Sequence, residues 1–168
     1  NCTIFGFNTA GIDVNVDVNG FLGVENTTIE NTNIGVRMNV TGSPTLNASL
    51  RNVVLKGSNT GLDVLAGTAT ISNSLVTNNT SNGIIAEGVV GSVANVDNCV
   101  VTTNGTGINA ATGVATVRIN NNSVFRNTTG ISNSGTMQSW KNNKVFGNTT
   151  NQAGTVPTDI SAVGNGVQ

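Results

Sequence analysis

The chain of 168 residues has no histidine, no tyrosine, only two prolines and few charged residues. Charged residues make up 9% of it, against roughly 25% in ordinary globular domains. The net charge is −1 and the charges are scattered, so no positive field is available to attract a nucleic acid or an anionic membrane surface. We therefore predict no nucleic-acid partner.

Long apolar runs are also missing. No stretch approaches the about 18 consecutive apolar residues that a membrane-spanning helix needs. No basic segment followed by an apolar run opens the chain. We predict no membrane insertion, with any export signal either removed or never present.

The sequence is instead rich in Gly, Asn and Thr, and these residues follow a repeat. A corner asparagine precedes a short apolar run at intervals of 25, 26, 21, 25, 24 and 21 residues. A glycine followed by an aliphatic residue keeps the same period. The last two corners carry a second asparagine, Asn121 and Asn142, which leaves the register there open by one residue. The corner asparagines are Asn1, Asn26, Asn52, Asn73, Asn98, Asn122 and Asn143, and the glycines are Gly11, Gly35, Gly61, Gly83, Gly107 and Gly130.

Apolar and polar residues alternate after each marker glycine, as in Ile12-Asp13-Val14 and Val36-Arg37-Met38. This period of two indicates β-strands with one buried face, and about 24 residues per repeat leave no room for a helix. A single repeat cannot bury its apolar face, whereas stacked repeats form a continuous core. We predict an all-β fold, a right-handed single-stranded parallel β-helix of about seven turns with three short strands per turn.

Asparagine suits the corners because it tolerates left-handed backbone angles and can form ladders of stacked amides. The asparagines five positions beyond each corner indicate a second ladder. We expect the marker glycines to occupy a third corner, where they supply a positive φ. The second ladder is predicted at Asn31, Asn78, Asn127 and Asn148.

The repeat is predicted to form a solenoid over residues 1–150, followed by a capping tail over residues 151–168. The chain begins in mid-repeat at Asn1, so we expect either missing preceding turns or a second chain that covers the first turn. A homo-oligomer through this uncapped end, or through a lateral face, is predicted for the same reason. Cys2 and Cys99 fall four turns apart in this register, roughly 19 Å at the spacing of stacked strands, so we predict two free thiols.

The phrases NSVFRNTTGI and SWKNNKVFGN, within residues 117–148, resemble the right-handed parallel β-helix repeat superfamily, with its pectate-lyase-like fold. The likeness is greatest to uncharacterised bacterial β-helix repeat proteins. The resemblance implies an exported or cell-surface location. It specifies a fold more strongly than an activity, because unrelated functions share this structural repeat.

Glycoside hydrolysis needs clustered carboxylates, and the chain has neither an adjacent pair of acids nor a histidine. Pectate-lyase-like elimination instead uses acids on neighbouring turns to hold calcium, with a basic residue that removes a proton. The column Asp13, Arg37 and Asp63 is the candidate for this chemistry and for calcium binding. Its alternating charges also fit a surface ion-pair ladder, the interpretation that we favour, as for Glu25–Arg51 and Glu30–Lys56. We therefore predict no catalytic residue and no cofactor, with this column and calcium as the alternative.

Aromatic side chains offer one further candidate site. Phe125 and Phe146 occupy equivalent positions on successive turns, and Trp140 lies nearby in sequence. They fit either a platform that stacks against sugar rings or a stack inside the core, and the core is favoured. The sequence predicts a non-catalytic structural or interaction module of an exported or surface protein. The alternative is a degenerate or truncated carbohydrate-active β-helix that binds or cleaves an acidic polysaccharide, with carbohydrate as the partner.

Overall fold

The computed structural model describes residues 1–42 and 45–159, with only the backbone of residue 89. Over these residues the secondary structure is entirely β, and no helix is present that could cross a membrane. Successive coils stack in parallel into a β-solenoid of about seven turns. The predicted all-β parallel β-helix is confirmed.

Each turn of the solenoid contributes to three faces. The first three turns contain β1 (Cys2–Phe5), β2 (Ala10–Val16), β3 (Gly20–Glu25), β4 (Thr27–Glu30), β5 (Ile34–Val40), β6 (Leu46–Arg51), β7 (Val54–Lys56) and β8 (Thr60–Ser72). The last four contain β9 (Leu75–Thr77), β10 (Asn82–Asp97), β11 (Val100–Thr102), β12 (Thr106–Ala110), β13 (Thr116–Asn120), β14 (Ser123–Phe125), β15 (Thr129–Asn133), β16 (Thr136–Ser139), β17 (Lys144–Phe146), β18 (Thr150–Gly154) and β19 (Thr158–Asp159).

The first sheet has seven strands in the order β1-β4-β7-β9-β11-β14-β17. The second sheet contains β2, β5, β12, β15 and β18 with the first parts of β8 and β10. The third sheet contains β3, β6, β13, β16 and β19 with the second parts of the same two strands. Because β8 and β10 run on from one face to the next, the three-strand turn becomes a two-strand turn there.

The core lies inside the coil, where alternate residues of all three sheets point inward. On the first sheet these are Ile29, Leu55, Val76, Val101 and Val124, each fully buried. Stacking places like side chains above one another, so every turn buries apolar surface. This burial stabilises the fold by roughly 25 cal/mol per Å². The second and third sheets add Val36, Leu62, Ile84, Ile108, Leu50, Ile71, Val96 and Ile119.

The corner before each strand of the first sheet holds an asparagine with a left-handed backbone, as predicted. The φ values lie between 50° and 53° at Asn26, Asn52, Asn73, Asn98 and Asn121. Their exposed amides bond along the axis, as between Asn98 Nδ2 and Asn73 Oδ1 at 2.6 Å. Strand pairing aligns Val100 with Ser123 and Ser123 with Lys144, so this column continues through Asn121 and Asn142. The residues first assigned to it, Asn122 and Asn143, are one position further on and bond to each other inside the coil.

The second ladder is buried, and its members differ from the prediction. Asn79, Asn104, Asn127 and Asn148 form it, and each of the first three donates an amide Nδ2–H to Oδ1 of the next, at 2.9, 3.0 and 2.9 Å. Asn127 and Asn148 were predicted correctly. The prediction was wrong for Asn31 and Asn78, which instead take the left-handed corner position just before the ladder, with φ of 54° and 56°.

The marker glycines are needed for close stacking, and the prediction that they supply a positive φ was wrong. None of them lies in the left-handed region. A Cβ on Gly83 would lie 2.6 Å from the carbonyl oxygen of Gly107 and 3.0 Å from Asn104 Nδ2. A Cβ added to Gly61 or Gly107 would also lie 2.6 Å from the carbonyl oxygen of the next marker glycine. A side chain at this position would push adjacent turns apart.

The two phenylalanines predicted for the core lie outside it. Phe125 and Phe146 stack with ring centroids 5.4 Å apart, but Phe146 is 52% exposed. Val124 and Val145, their neighbours on the same strands, face the core instead. The alternation along a strand therefore puts both rings on the outer face of the first sheet.

Parallel pairing continues beyond the predicted end of the solenoid at residue 150, because β18 pairs with β15 and β19 pairs with β16. Much of the predicted capping tail, residues 160–168, lies outside the described residues. The capping role of 151–168 stays a prediction.

The two cysteines are free, with Cys2 exposed and Cys99 buried. Burial raises the pKa of the Cys99 thiol to about 11, and its Sγ donates to the carbonyl oxygen of Asp97 at 3.2 Å. Because the thiolate is the nucleophile, we expect a maleimide to label Cys2 rapidly and Cys99 only after unfolding. Mass spectrometry of native and denatured protein measures this. A Cys2→Ser variant that is labelled rapidly in its native state would contradict the burial of Cys99.

Candidate functional site

The column Asp13, Arg37 and Asp63 forms on the second sheet, where strand register places the three residues side by side. Arg37 turns toward Asp13: its Nε donates to Oδ1 at 3.0 Å, and Nη2 donates to Oδ2. This hydrogen bond is the main cause that raises the pKa of Arg37. The ion pairs Glu25–Arg51 at 2.9 Å and Glu30–Lys56 at 2.8 Å form as predicted.

Asp63 differs from the other two members of the column because it is buried. Its residue is only 5% exposed, although the alternation of β8 places it on the outer face. Oδ1 is buried without a hydrogen-bond partner among the described residues. Burial, reinforced by the charge of Glu87 and opposed by that of Arg37, raises the pKa of Asp63 to about 6.

A carboxyl group with a pKa near neutrality can exchange a proton under physiological conditions. Here the group is nearly closed off, and the nearest cation, Arg37, is bonded to Asp13. A polymer substrate needs open access to the reacting atoms, and 5% exposure does not give it. Over residues 1–42 and 45–159, no three His, Cys, Asp or Glu side chains approach closely enough to hold a metal ion.

A second group of polar side chains lies on the outer face of the third sheet. Register aligns Asn95 with Arg118 and Arg118 with Gln138 on β10, β13 and β16. The guanidinium bridges the three strands, with Nε donating to Gln138 Oε1 at 2.8 Å and Nη1 donating to Asn95 Oδ1 at 3.3 Å. Three adjacent turns therefore hold one arginine in place.

The neighbouring column of the same face contains Asp97, Asn120 and Trp140. Trp140 directly follows the last residue of β16. Asn120 Nδ2 donates to Asp97 Oδ1 at 2.5 Å. The two columns enclose a shallow cavity of about 230 Å³, and Trp140 on its border is 41% exposed. We call this cavity the Trp140 pocket, lined by Asn95, Val96, Asp97, Arg118, Asn120 and Trp140.

A larger concavity, about 400 Å³, lies at the corner that carries the buried ladder. It is open and polar, and its lining includes Asn79, Asn104 and Arg126. The two amides already bond to each other, Asn79 Nδ2 donating to Asn104 Oδ1 at 2.9 Å. The hydrogen bonds of these two amides stabilise the fold, and the residues that line this concavity include no aromatic ring.

The Trp140 pocket was not predicted, although Trp140 had been noted beside the phenylalanines. The signal that could have revealed it is the strand register of the third sheet, in the column that pairs Glu25 with Arg51 in the first turns. The same column, followed to the last turns, brings Asp97, Asn120 and Trp140 together.

A comparison of the chain with family models, curated proteins and solved structures finds no match.

Proposed function

We propose that this chain is a non-catalytic structural or interaction module, a rigid β-helix that presents its outer faces within an exported or cell-surface protein. The observation that carries the proposal is the burial of Asp63, a carboxyl group whose pKa suits acid–base catalysis. Asp63 has a pKa of about 6 but is 5% exposed. Its column neighbours Asp13 and Arg37 are bonded to each other.

The remaining charges support the same function. Glu25–Arg51, Glu30–Lys56 and Lys141–Asp159 join strands of neighbouring turns. Such exposed pairs each stabilise a protein by about 0–1 kcal/mol, and they use three of the eight Asp and Glu side chains of the chain. The buried amide ladder fixes the spacing of the turns, which suits a rod that holds a surface in place.

The resemblance to the pectate-lyase-like β-helix superfamily is compatible with this proposal, since unrelated functions share its structural repeat. Phe5, Phe7 and Phe21 are exposed on the first turn. Self-association through that turn, end to end, or through a lateral face belongs to the proposal as a homo-oligomer.

A second function, elimination of an acidic polysaccharide by a carbohydrate-active β-helix, is favoured by one observation. Asp63 and Arg37 are neighbours in register on adjacent strands of one face, and the carboxyl pKa is displaced toward neutrality. This function requires Asp63 to become exposed when substrate binds.

We expect no unsaturated product when the purified chain is incubated with polygalacturonate, pectin or alginate, with and without calcium. Ultraviolet absorbance of the unsaturated uronate measures the reaction, at pH values on both sides of about 6, where Asp63 titrates. Product formation that is abolished in Asp63→Asn and Arg37→Ala, but retained in the exposed control Phe146→Ala, would replace the proposed function with the lyase.

A further inference from the structure

We propose that the Trp140 pocket binds a neutral sugar ring of a glycan. This inference rests on the proposed function, since it names the ligand that a non-catalytic module would hold. It also places the ligand on the third sheet, away from the Asp13–Arg37–Asp63 column on the second. No acidic polysaccharide is involved.

The first support is Trp140, the only tryptophan of the chain. A tryptophan that remains 41% exposed keeps much of a large apolar ring in water. The same column carries Arg51, Ser72 and Asn120 on earlier turns, so the position does not require an aromatic residue for the fold. An exposed indole at the border of a cavity offers the flat apolar face that the C–H side of a pyranose ring covers.

The second support is the set of polar groups beside the indole. Arg118 has five N–H donors, and two of them are used by Gln138 and Asn95. Asp97 uses Oδ1 for Asn120, and Oδ2 accepts no hydrogen bond within the described part of the chain. Free donors and a free acceptor therefore flank the same cavity, the arrangement that pairs of adjacent hydroxyl groups need.

These polar groups are also held in place before a ligand arrives. Arg118 is fixed by partners on both neighbouring strands, and Asp97 by Asn120. Asn120 in turn accepts from Asn142 Nδ2 at 2.8 Å. Because the side chains are already ordered, a ligand loses less free energy in immobilising them.

Charge and size narrow the ligand class. Arg118 and Asp97 contribute opposite charges to the lining, and the nearby Lys141 is paired with Asp159. A uronate or phosphate would be attracted by Arg118 but repelled by Asp97, whereas a neutral polyol can form hydrogen bonds with both. The volume of about 230 Å³ lies below the range of about 300–1,000 Å³ typical of drug-sized ligands and fits a single ring.

Intrinsic fluorescence tests this inference directly, because the chain has one tryptophan and no tyrosine. We would titrate glucose, galactose, mannose and N-acetylglucosamine, then their neutral oligosaccharides, with galacturonate as the charged comparison. For a ligand of this size a Kd on the order of 1 mM is expected, with tighter binding of oligosaccharides. Galacturonate is expected to bind at least tenfold more weakly than galactose.

Calorimetry of variants locates the site. We expect Trp140→Ala and Asp97→Asn each to weaken binding of the best neutral sugar at least tenfold, and Trp140→Phe to weaken it less than Trp140→Ala. Phe146→Ala and Arg126→Gln are matched controls, an exposed aromatic residue and an arginine outside the pocket, and should bind as the parent chain does. Circular dichroism would check that every variant is folded.

The inference fails if no neutral sugar perturbs the emission, if Trp140→Ala and Asp97→Asn both bind normally, or if galacturonate binds more tightly than galactose. None of these results affects the proposal of a non-catalytic module, which only polysaccharide cleavage contradicts. Binding without cleavage supports both.

Discussion

Replacement of Asn104 by alanine is expected to lower the free energy of unfolding by about 3–5 kcal/mol, since several buried groups lose their partners at once. Asn104 Oδ1 accepts from the main-chain N–H and the Nδ2 of Asn79. Its own Nδ2 donates to the carbonyl oxygens of Val76 and Thr102 and to Asn127 Oδ1. Asn104 is 4% exposed, so water does not readily replace these bonds. Denaturant unfolding followed by circular dichroism measures the change.

The matched control is Asn47→Ala on the exposed outer face of β6. A surface substitution of this kind usually changes stability by within about 0.5 kcal/mol. A loss below about 1 kcal/mol for Asn104→Ala would mean that water enters the corner and that the ladder contributes little to stability.

Replacement of Asp63 by asparagine is expected to raise the free energy of unfolding, relative to the parent chain, by up to about 3 kcal/mol more at pH 8 than at pH 4. This figure corresponds to about two pKa units at 1.36 kcal/mol each. Burial raises the pKa of this carboxyl from 3.8 to about 6 in the folded state. The folded state thus holds its proton more tightly than the unfolded state. The cost of the charge is absent below about pH 4, grows as the pH rises, and is complete above about pH 6.

The measurement is the difference in unfolding free energy between the parent chain and Asp63→Asn across this pH range. Any constant effect of the new amide on packing cancels, because only the change with pH is read. Asp63→Leu is the control, since it also removes the charge and should give the same pH dependence. If the unfolding free energies of the parent chain and Asp63→Asn changed with pH in parallel, the prediction would be wrong and Asp63 would be solvated in solution.

The repeat made the fold predictable, whereas the roles of individual asparagines were harder to assign. Two asparagines often stand next to each other, as in Asn78-Asn79 and Asn121-Asn122, and one takes the left-handed corner while the other enters the coil. A shift of one residue exchanges these roles. The sequence does not separate them, because asparagine is suited to both.

The candidate sites were less predictable because neighbouring turns determine exposure. Alternation correctly put Asp63 on the outer face of β8 but did not reveal that this part of the face is covered. The same alternation, applied to Val124 and Phe125, would have shown that the phenylalanine points outward. The Trp140 pocket combines residues from three turns, separated by twenty or more positions in sequence.

The lengths of the three corners differ in a way that matters for protein engineering. The connections into the first sheet, and those from it to the second, are short, and asparagine ladders join those of the later turns. The connection from the second to the third sheet varies: β8 crosses it without a break, whereas residues 111–115 form a loop between β12 and β13. The repeats therefore differ in length mainly at this corner. Peptide epitopes inserted between the exposed residues Gly113 and Val114 should therefore be displayed on the rod without disturbing its stacking, whereas Ala115 is buried in the core and must be kept.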